Sequence, residues 1–489
     1  MVVGKTLGYL PSFESHPRTW TDDLPLCPLT GVGNSPSQFY REDGQRRQGH
    51  PNEDRTFHFR IDDSFCLYGM FDGHEGSHVS EFASQKMPAE ILLGQLKESS
   101  SSAEVKEVLK QAFTLVERGY FESLDDILAQ RADLQGKLPE GTSDYDAMKE
   151  YPEIVAQLSD LNRRVGAGST AIVSLIFKER LYAAGVGNGR ILICRTDDYG
   201  QIHVEELLPK HDVINEKELI RLGELDIDRE NASTGLRLLC QGNTRCIGNY
   251  LVKGGYKECE HLSAATSEPV IHDPTIVGDV PVDESCRFML IMTDGLVKAV
   301  EEVSDTKDPN MEIVQLTIKQ FNTQSTIMGV AQAVIDQIVR CHHERFLSEE
   351  PLSRKFNGHG DMTLLVRNFT YPMPNALLRN VTRSVESSSR QLISPSSTIS
   401  SQKSVVVKDS SSCDLDCSCD TLTHLATSSS TDSSEMQIRR GNQLPLNADG
   451  KIAPYVNFSG YYKSVEDARR KGLLSKGIDY YYEASFFDL

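Results

Sequence analysis

The stretch SFCLYGMF (64–71) runs straight into Asp72-Gly73-His74-Glu75-Gly76 and then into SHVSEFASQKMPAEILLGQL (77–96). The first eight residues are aromatic and apolar and stop at an Asp-Gly pair, which reads as a strand meeting a turn. The last twenty carry apolar residues at helical spacing. The same grammar recurs outward in both directions. TFHFR (56–60), STAIVSLIF (169–177), RLYAAGV (180–186), RILICR (190–195), RFMLIM (287–292) and MTLLVR (362–367) read as strands bounded by Gly, Asp or Asn. Residues 103–134 and 326–346 read as helices. RLYAAGV and RILICR are separated by Gly187-Asn188-Gly189, which predicts a hairpin. Hairpins mixed with long helices predict an α+β fold of antiparallel sheets covered by helices, not a doubly wound parallel sheet.

Strand ends are where chemistry is expected. Asp72 closes one strand, and Gly73 allows a close backbone approach to a ligand. His74 has the side chain of a general acid. Glu53-Asp54 precedes TFHFR, and Thr293-Asp294-Gly295 follows RFMLIM. Carboxylates at the ends of three apolar strands suit oxygen-liganded Mg²⁺ or Mn²⁺ and, through them, hydrolysis of a phosphate ester. Any one Asp-Gly pair after a strand is also an ordinary turn, and for a single pair that plainer reading stands.

The formal net charge is −19 and the pI about 5.2. That argues against a general nucleic-acid binder, which needs Lys and Arg in excess. No run is apolar enough to suggest a membrane partner. The start, MVVGKTLGYLPSF, reads as neither a secretory signal nor, with Val2, a myristoylation site. Eleven cysteines, scattered apart from the group Cys413, Cys417 and Cys419, fit reduced cytoplasmic thiols better than a disulfide framework. No aromatic residue falls between Tyr371 and Tyr455, and residues 381–440 hold 25 Ser or Thr. Such a segment cannot bury enough apolar area to offset the entropy of ordering it. The expected division is an N-terminal extension (1–19), a globular unit (20–371), a disordered Ser/Thr-rich linker (372–445) and a C-terminal segment (446–489).

Six motifs come in a family's order: Asn52-Glu53-Asp54, FDGHEG (71–76), GSTA (168–171), GNGR (187–190), TDGL (293–296) and DMTLLV (361–366). Together they resemble the metal-dependent type 2C Ser/Thr protein phosphatases. The resemblance implies a four-layer αββα sandwich with two metals at one end of the sheets. It implies metal-site roles for Asp54, Asp72, Gly73, Asp294 and Asp361, and a general-acid role for His74. The departures weaken that site. The family's phosphate-gripping Arg falls on Gly49, an acidic position on Lys210, another on Asn249, and the last metal-binding Asp on Gly360, with Asp361 one place late. Two adjacent dications need carboxylates to neutralise them, and a phosphate needs its guanidinium. The expectation is therefore a pseudophosphatase with vestigial site residues, no required cofactor, and room for at most a single Mg²⁺ or Mn²⁺. The alternative is a weakly active Mn²⁺/Mg²⁺-dependent Ser/Thr phosphatase.

Stretches outside that chemistry, among them WTDDLPLC (20–27), AEILLGQL (89–96) and DMTLLVRNF (361–369), resemble more closely the pseudophosphatase branch that binds the TGF-beta-activated kinase. That implies a non-catalytic adaptor and activator whose partner is a MAP kinase kinase kinase catalytic domain. Tyr455, Phe458, Tyr461 and Tyr462 form one aromatic stripe at helical spacing, with Val456 beside it. Pro454 suits the helix start. A lone helix of this length is marginal in water and needs a groove. On spacing alone, a partner's groove and the chain's own globular unit both qualify; the resemblance favours the kinase, with Phe458 as the anchor. In the linker, Ser394-Pro395 suits phosphorylation by a proline-directed kinase, and residues 396–407 loosely resemble a stretch that binds a stress-activated MAP kinase.

Overall fold

The computed structural model describes residues 19–374 except 63, 94, 95, 98, 140, 305 and 349–356, together with Arg470. The chain divides into two units, Met1–Pro395 and Ser396–Leu489. The second is represented only by Arg470, helical and exposed. The stripe Tyr455, Val456, Phe458, Tyr461 and Tyr462, the phosphorylation candidate Ser394 and the Cys413/Cys417/Cys419 group lie outside the described residues.

The architecture follows from strands that are apolar on both faces. Ten strands matter for the site: β1 (Thr30–Ser35), β2 (Arg55–Arg60), β3 (Phe65–Phe71), β4 (Ala171–Phe177), β5 (Arg180–Val186), β6 (Arg190–Thr196), β7 (Ile202–Glu206), β8 (Thr275–Pro281), β9 (Cys286–Met292) and β10 (Met362–Asn368). They form two five-stranded sheets, ordered β1-β10-β9-β6-β7 and β8-β5-β4-β3-β2, with antiparallel pairing throughout. On β3, Cys66, Tyr68 and Met70 join a core with Ile191, Ile193, Met289 and Ile291 of the other sheet. Phe65, Leu67 and Phe71 point the opposite way, as the two-residue period of a strand requires. They meet α1 (His78–Leu93) and α2 (Ser102–Glu122) through Val79, Ala83, Met87, Leu109 and Phe113. The far face of the first sheet does the same with Leu290, Met292, Leu364 and Val366. Those residues pack on α3 (Asp294–Val303), α4 (Pro309–Phe321) and α5 (Ile327–Leu347). Helix, sheet, sheet, helix: three apolar seams make the four layers of the expected αββα sandwich. Each fully buried large apolar side chain contributes about 1.5–3 kcal/mol.

Helix limits follow local chemistry. Ser101 caps α2 reciprocally: its Oγ accepts from the Glu104 N–H at 3.3 Å, and Glu104 Oε2 accepts from the Ser101 N–H at 2.6 Å. The apolar pattern over 103–134 is broken at Ser123-Leu124, and a second helix, Asp125–Gly136, follows. Strand β1 alternates glycines with small or β-branched residues. A Cβ on Gly31 would stand 2.2 Å from the Met328 nitrogen, and one on Gly33 would stand 2.5 Å from the Ala331 carbonyl carbon. Those glycines let α5 lie directly on the edge strand.

The predicted hairpin over 180–195 is overturned. β5 belongs to one sheet and β6 to the other. Leu181 and Ala183 on β5 and Ile191 and Ile193 on β6 all face the seam between the sheets. Gly187-Asn188-Gly189 carries the chain across that seam, with Gly187 at φ +95° against Thr170. A glycine-rich turn dictates a reversal of direction, not the plane in which the strands continue.

Candidate functional site

Antiparallel pairing gathers the acidic residues at one end of both sheets. Asp72 follows the end of β3, and Glu53-Asp54 precede β2, whose Arg55 pairs with Phe71. Asp294 follows β9, and Asp361 precedes β10, whose Leu364 pairs with Met292. Asn188 precedes β6, whose Arg190 also pairs with Met292. Thr293 and Thr363 tie the two loops: the Thr363 N–H donates to Thr293 Oγ1 at 2.9 Å. Between these loops lies a cavity of about 240 Å³, lined by His50, Glu53, Asp72, Asn188, Asp294, Lys298, Glu302 and Asp361 among others.

Most of these carboxylates are already committed to protein donors. Asp361 accepts from the Ser37 N–H at 2.6 Å with one oxygen and from the Glu53 N–H at 2.7 Å with the other. Asp294 Oδ2 accepts from Asn188 Nδ2 at 2.9 Å and lies 2.6 Å from Lys298 Nζ. Glu302 Oε2 lies 2.7 Å from His342 Nε2. His50 Nδ1 lies 3.6 Å from Glu53 and 3.8 Å from Asp361. Burial pushes the Asp72 carboxyl well above its ordinary range, and the nearby Asp54, Asp294 and Asp361 carboxylates push it further, with Lys298 opposing. Burial disfavours the charge on Lys298, yet Asp294, Asp72 and Glu302 raise its pKa overall.

The residues expected from the sequence are dispersed more than the motifs imply. Asp72, Gly73, Asp294 and Asp361 line the cavity. Asp54 turns inward instead, accepting from Thr363 Oγ1 at 2.6 Å, and its Oδ1 is buried without a partner. Burial and the neighbouring Asp361 and Glu53 carboxylates push the Asp54 carboxyl up to about 7, against hydrogen bonds from Thr363 and Thr293. Glu53 takes its place on the cavity wall. His74 is buried away from that wall, its ring packed on Gly168 and 3.3 Å from Asn249 Nδ2. Burial, with Lys253, drops its pKa to about 4, which favours the neutral imidazole. Lys298 was not anticipated. The available signal was its position one helical turn after Asp294, the spacing at which a lysine reaches back to a carboxylate.

Among the described residues, no group of three or more His, Cys, Asp or Glu converges closely enough to hold a metal ion. Two hard cations would need about a dozen oxygen ligands between them. With Asp361 spent on backbone N–H groups and Asp294 on Asn188 and Lys298, the residues present do not fit that pair.

The protein phosphatase 2C family model matches residues 42–344. Over 355 residues the chain is 24% identical to TGF-beta-activated kinase 1 and MAP3K7-binding protein 1 of Caenorhabditis elegans, covering 70% of this chain and 82% of that protein. It is 26% identical over 275 residues to probable protein phosphatase 2C 2 of Paramecium tetraurelia, covering 56% and 76%. Among solved structures, the serine-threonine phosphatase 2C of Toxoplasma gondii is 16% identical with a TM-score of 0.41, covering 70% of this chain and 97% of that one. A sex determining protein of C. elegans is 14% identical with a TM-score of 0.43, and the match spans 70% of this chain and 65%, just under two thirds, of that one. With the family model spanning more than half of its length, the chain belongs to the protein phosphatase 2C family.

Proposed function

We propose that this protein is a non-catalytic member of its family, an adaptor that binds and activates a MAP kinase kinase kinase of the TGF-beta-activated type. One observation carries the loss of catalysis. Both oxygens of Asp361 are held by the Ser37 and Glu53 N–H groups, so this carboxylate is a structural tie and not a free ligand. The adaptor half is supported by the similarity to a kinase-binding protein and by the aromatic stripe at Tyr455, Phe458, Tyr461 and Tyr462. The aromatic segment acts through a population shift: it binds the kinase's active conformation more tightly than the inactive one. The test is autophosphorylation of the kinase with full-length protein and with Phe458→Ala. Activation should fall at least about tenfold, the loss of ~1.4 kcal/mol at an anchor. Undiminished activation by the variant removes the tail from the reading.

A second reading, weak Mn²⁺-dependent phosphatase activity, is favoured by Asp72 and Asp294 sharing one cavity. Phosphopeptide hydrolysis that needs Mn²⁺ and disappears in Asp72→Ala would replace the first reading of this domain.

A further inference from the structure

The acid-lined cavity poses an electrostatic problem. Asp72, Asp294, Asp361, Glu53 and Glu302 share its wall, and in a metal-dependent phosphatase divalent ions would neutralise such a cluster. Lys298 and His50 are the basic residues lining it besides His359. His50 sits on the Glu53 and Asp361 side. Lys298 addresses the other side, its Nζ 2.6 Å from an Asp294 carboxylate whose side chain is only 7% exposed. Asn188 Nδ2 donates to the same oxygen at 2.9 Å. That oxygen therefore already has two donors.

We propose that Lys298 is the resident cation of this site: its ammonium group holds Asp294 beside Asp72 in place of a divalent ion, so the fold is complete without metal. Its placement follows from the backbone. Asp294 and Lys298 are one turn apart on α3, with Asp294 in the first turn, where the helix end favours a carboxylate. The Lys298 side chain is 57% exposed overall, while its Nζ reaches Asp294 Oδ2. A dication entering here meets like charge within a few ångströms and must first displace the lysine. This inference concerns the cavity alone and stands or falls independently of kinase binding by the tail.

Full-length protein and its Lys298→Gln and Lys298→Arg variants are titrated calorimetrically with MnCl₂ and melted with and without about 1 mM Mn²⁺. The wild type and Lys298→Arg should melt at the same temperature in both conditions. Lys298→Gln should bind Mn²⁺ at least about tenfold more tightly than the wild type and gain roughly 2–4 °C on adding it. Glutamine at a half-exposed helix position preserves the fold, and Lys298→Arg separates charge from the lysine's shape. Mn²⁺ stabilisation of the wild type overturns the proposal. So does Lys298→Gln that binds Mn²⁺ no better than the wild type, or Lys298→Arg that behaves like the glutamine variant.

Discussion

Restoring the family's arginine at position 49 should damage the fold before it helps any chemistry. A Cβ on Gly49 would stand 2.8 Å from Phe39 Cε2, 2.8 Å from Ser37 Oγ and 3.2 Å from Phe39 Cδ2. Phe39 is half exposed and its ring can swing away. Ser37 cannot move freely: its Oγ accepts from the His50 N–H at 3.1 Å, and its own N–H donates to Asp361 at 2.6 Å. Overpacking costs about 1–3 kcal/mol and the displaced hydrogen bond about 1 kcal/mol, so Gly49→Arg should lose about 2–4 kcal/mol. In a domain of this size that lowers the melting temperature by roughly 3–5 °C. Removing the ring in Phe39→Ala/Gly49→Arg should recover the larger share, giving a coupling of about 1–2 kcal/mol in a double-mutant cycle. Gly360 is the control: a Cβ there meets nothing within 4 Å, so Gly360→Asp should stay within about 0.5 kcal/mol of the wild type. Thermal melts of Gly49→Arg, Phe39→Ala, the double variant and Gly360→Asp decide the matter. A Gly49→Arg protein as stable as the wild type, or no coupling to Phe39, refutes the steric reasoning.

Two further outcomes follow from buried charges. Lys253 is 1% exposed and paired with Glu117, which also accepts from the Gly248 N–H at 2.8 Å. Lys253→Met strands that carboxylate and should cost about 3–5 kcal/mol in denaturant unfolding, with Glu117→Gln/Lys253→Met regaining most of it; a single variant of unchanged stability contradicts the assignment. Asp54 is held up to about 7 by burial and neighbouring acids. A raised carboxyl stabilises the folded state fully below its ordinary value near 4, and that contribution is lost as pH rises towards 7. The melting temperature of the wild type should thus fall relative to Asp54→Asn between about pH 4 and 7, and parallel profiles would show that Asp54 does not titrate there.

The layered architecture was readable because its strands are short apolar runs with sharp polar ends. The quoted stretch 64–96 contains a strand, its acidic end and the covering helix in one reading frame. What escaped were features set by partners distant in sequence. Whether Gly187-Asn188-Gly189 closes a hairpin or crosses between sheets depends on which neighbours β5 and β6 find, and both flanks are equally apolar. Which member of Glu53-Asp54 faces the cavity is settled by Thr363, some three hundred positions away. His74 stands two residues from Asp72, a spacing that in a regular strand would put both on one face, yet Gly168 leaves space for its ring on the buried side. Lys298 carried a local signal, its spacing from Asp294, but exposed lysines at that spacing are common on any helix.

Among the described residues, strand β1 finds its sheet neighbour only in β10. On a ribosome making about 5–20 residues per second, roughly 330 residues and some tens of seconds separate the two. During that wait the first strand is an unpaired edge, the kind of segment that recruits other chains. Thr30-Gly31-Val32-Gly33-Asn34-Ser35 is poorly suited to such recruitment, having one β-branched apolar residue among glycines and polar groups. The glycines that later admit α5 thus also keep the nascent chain inert until its closing partner has been made.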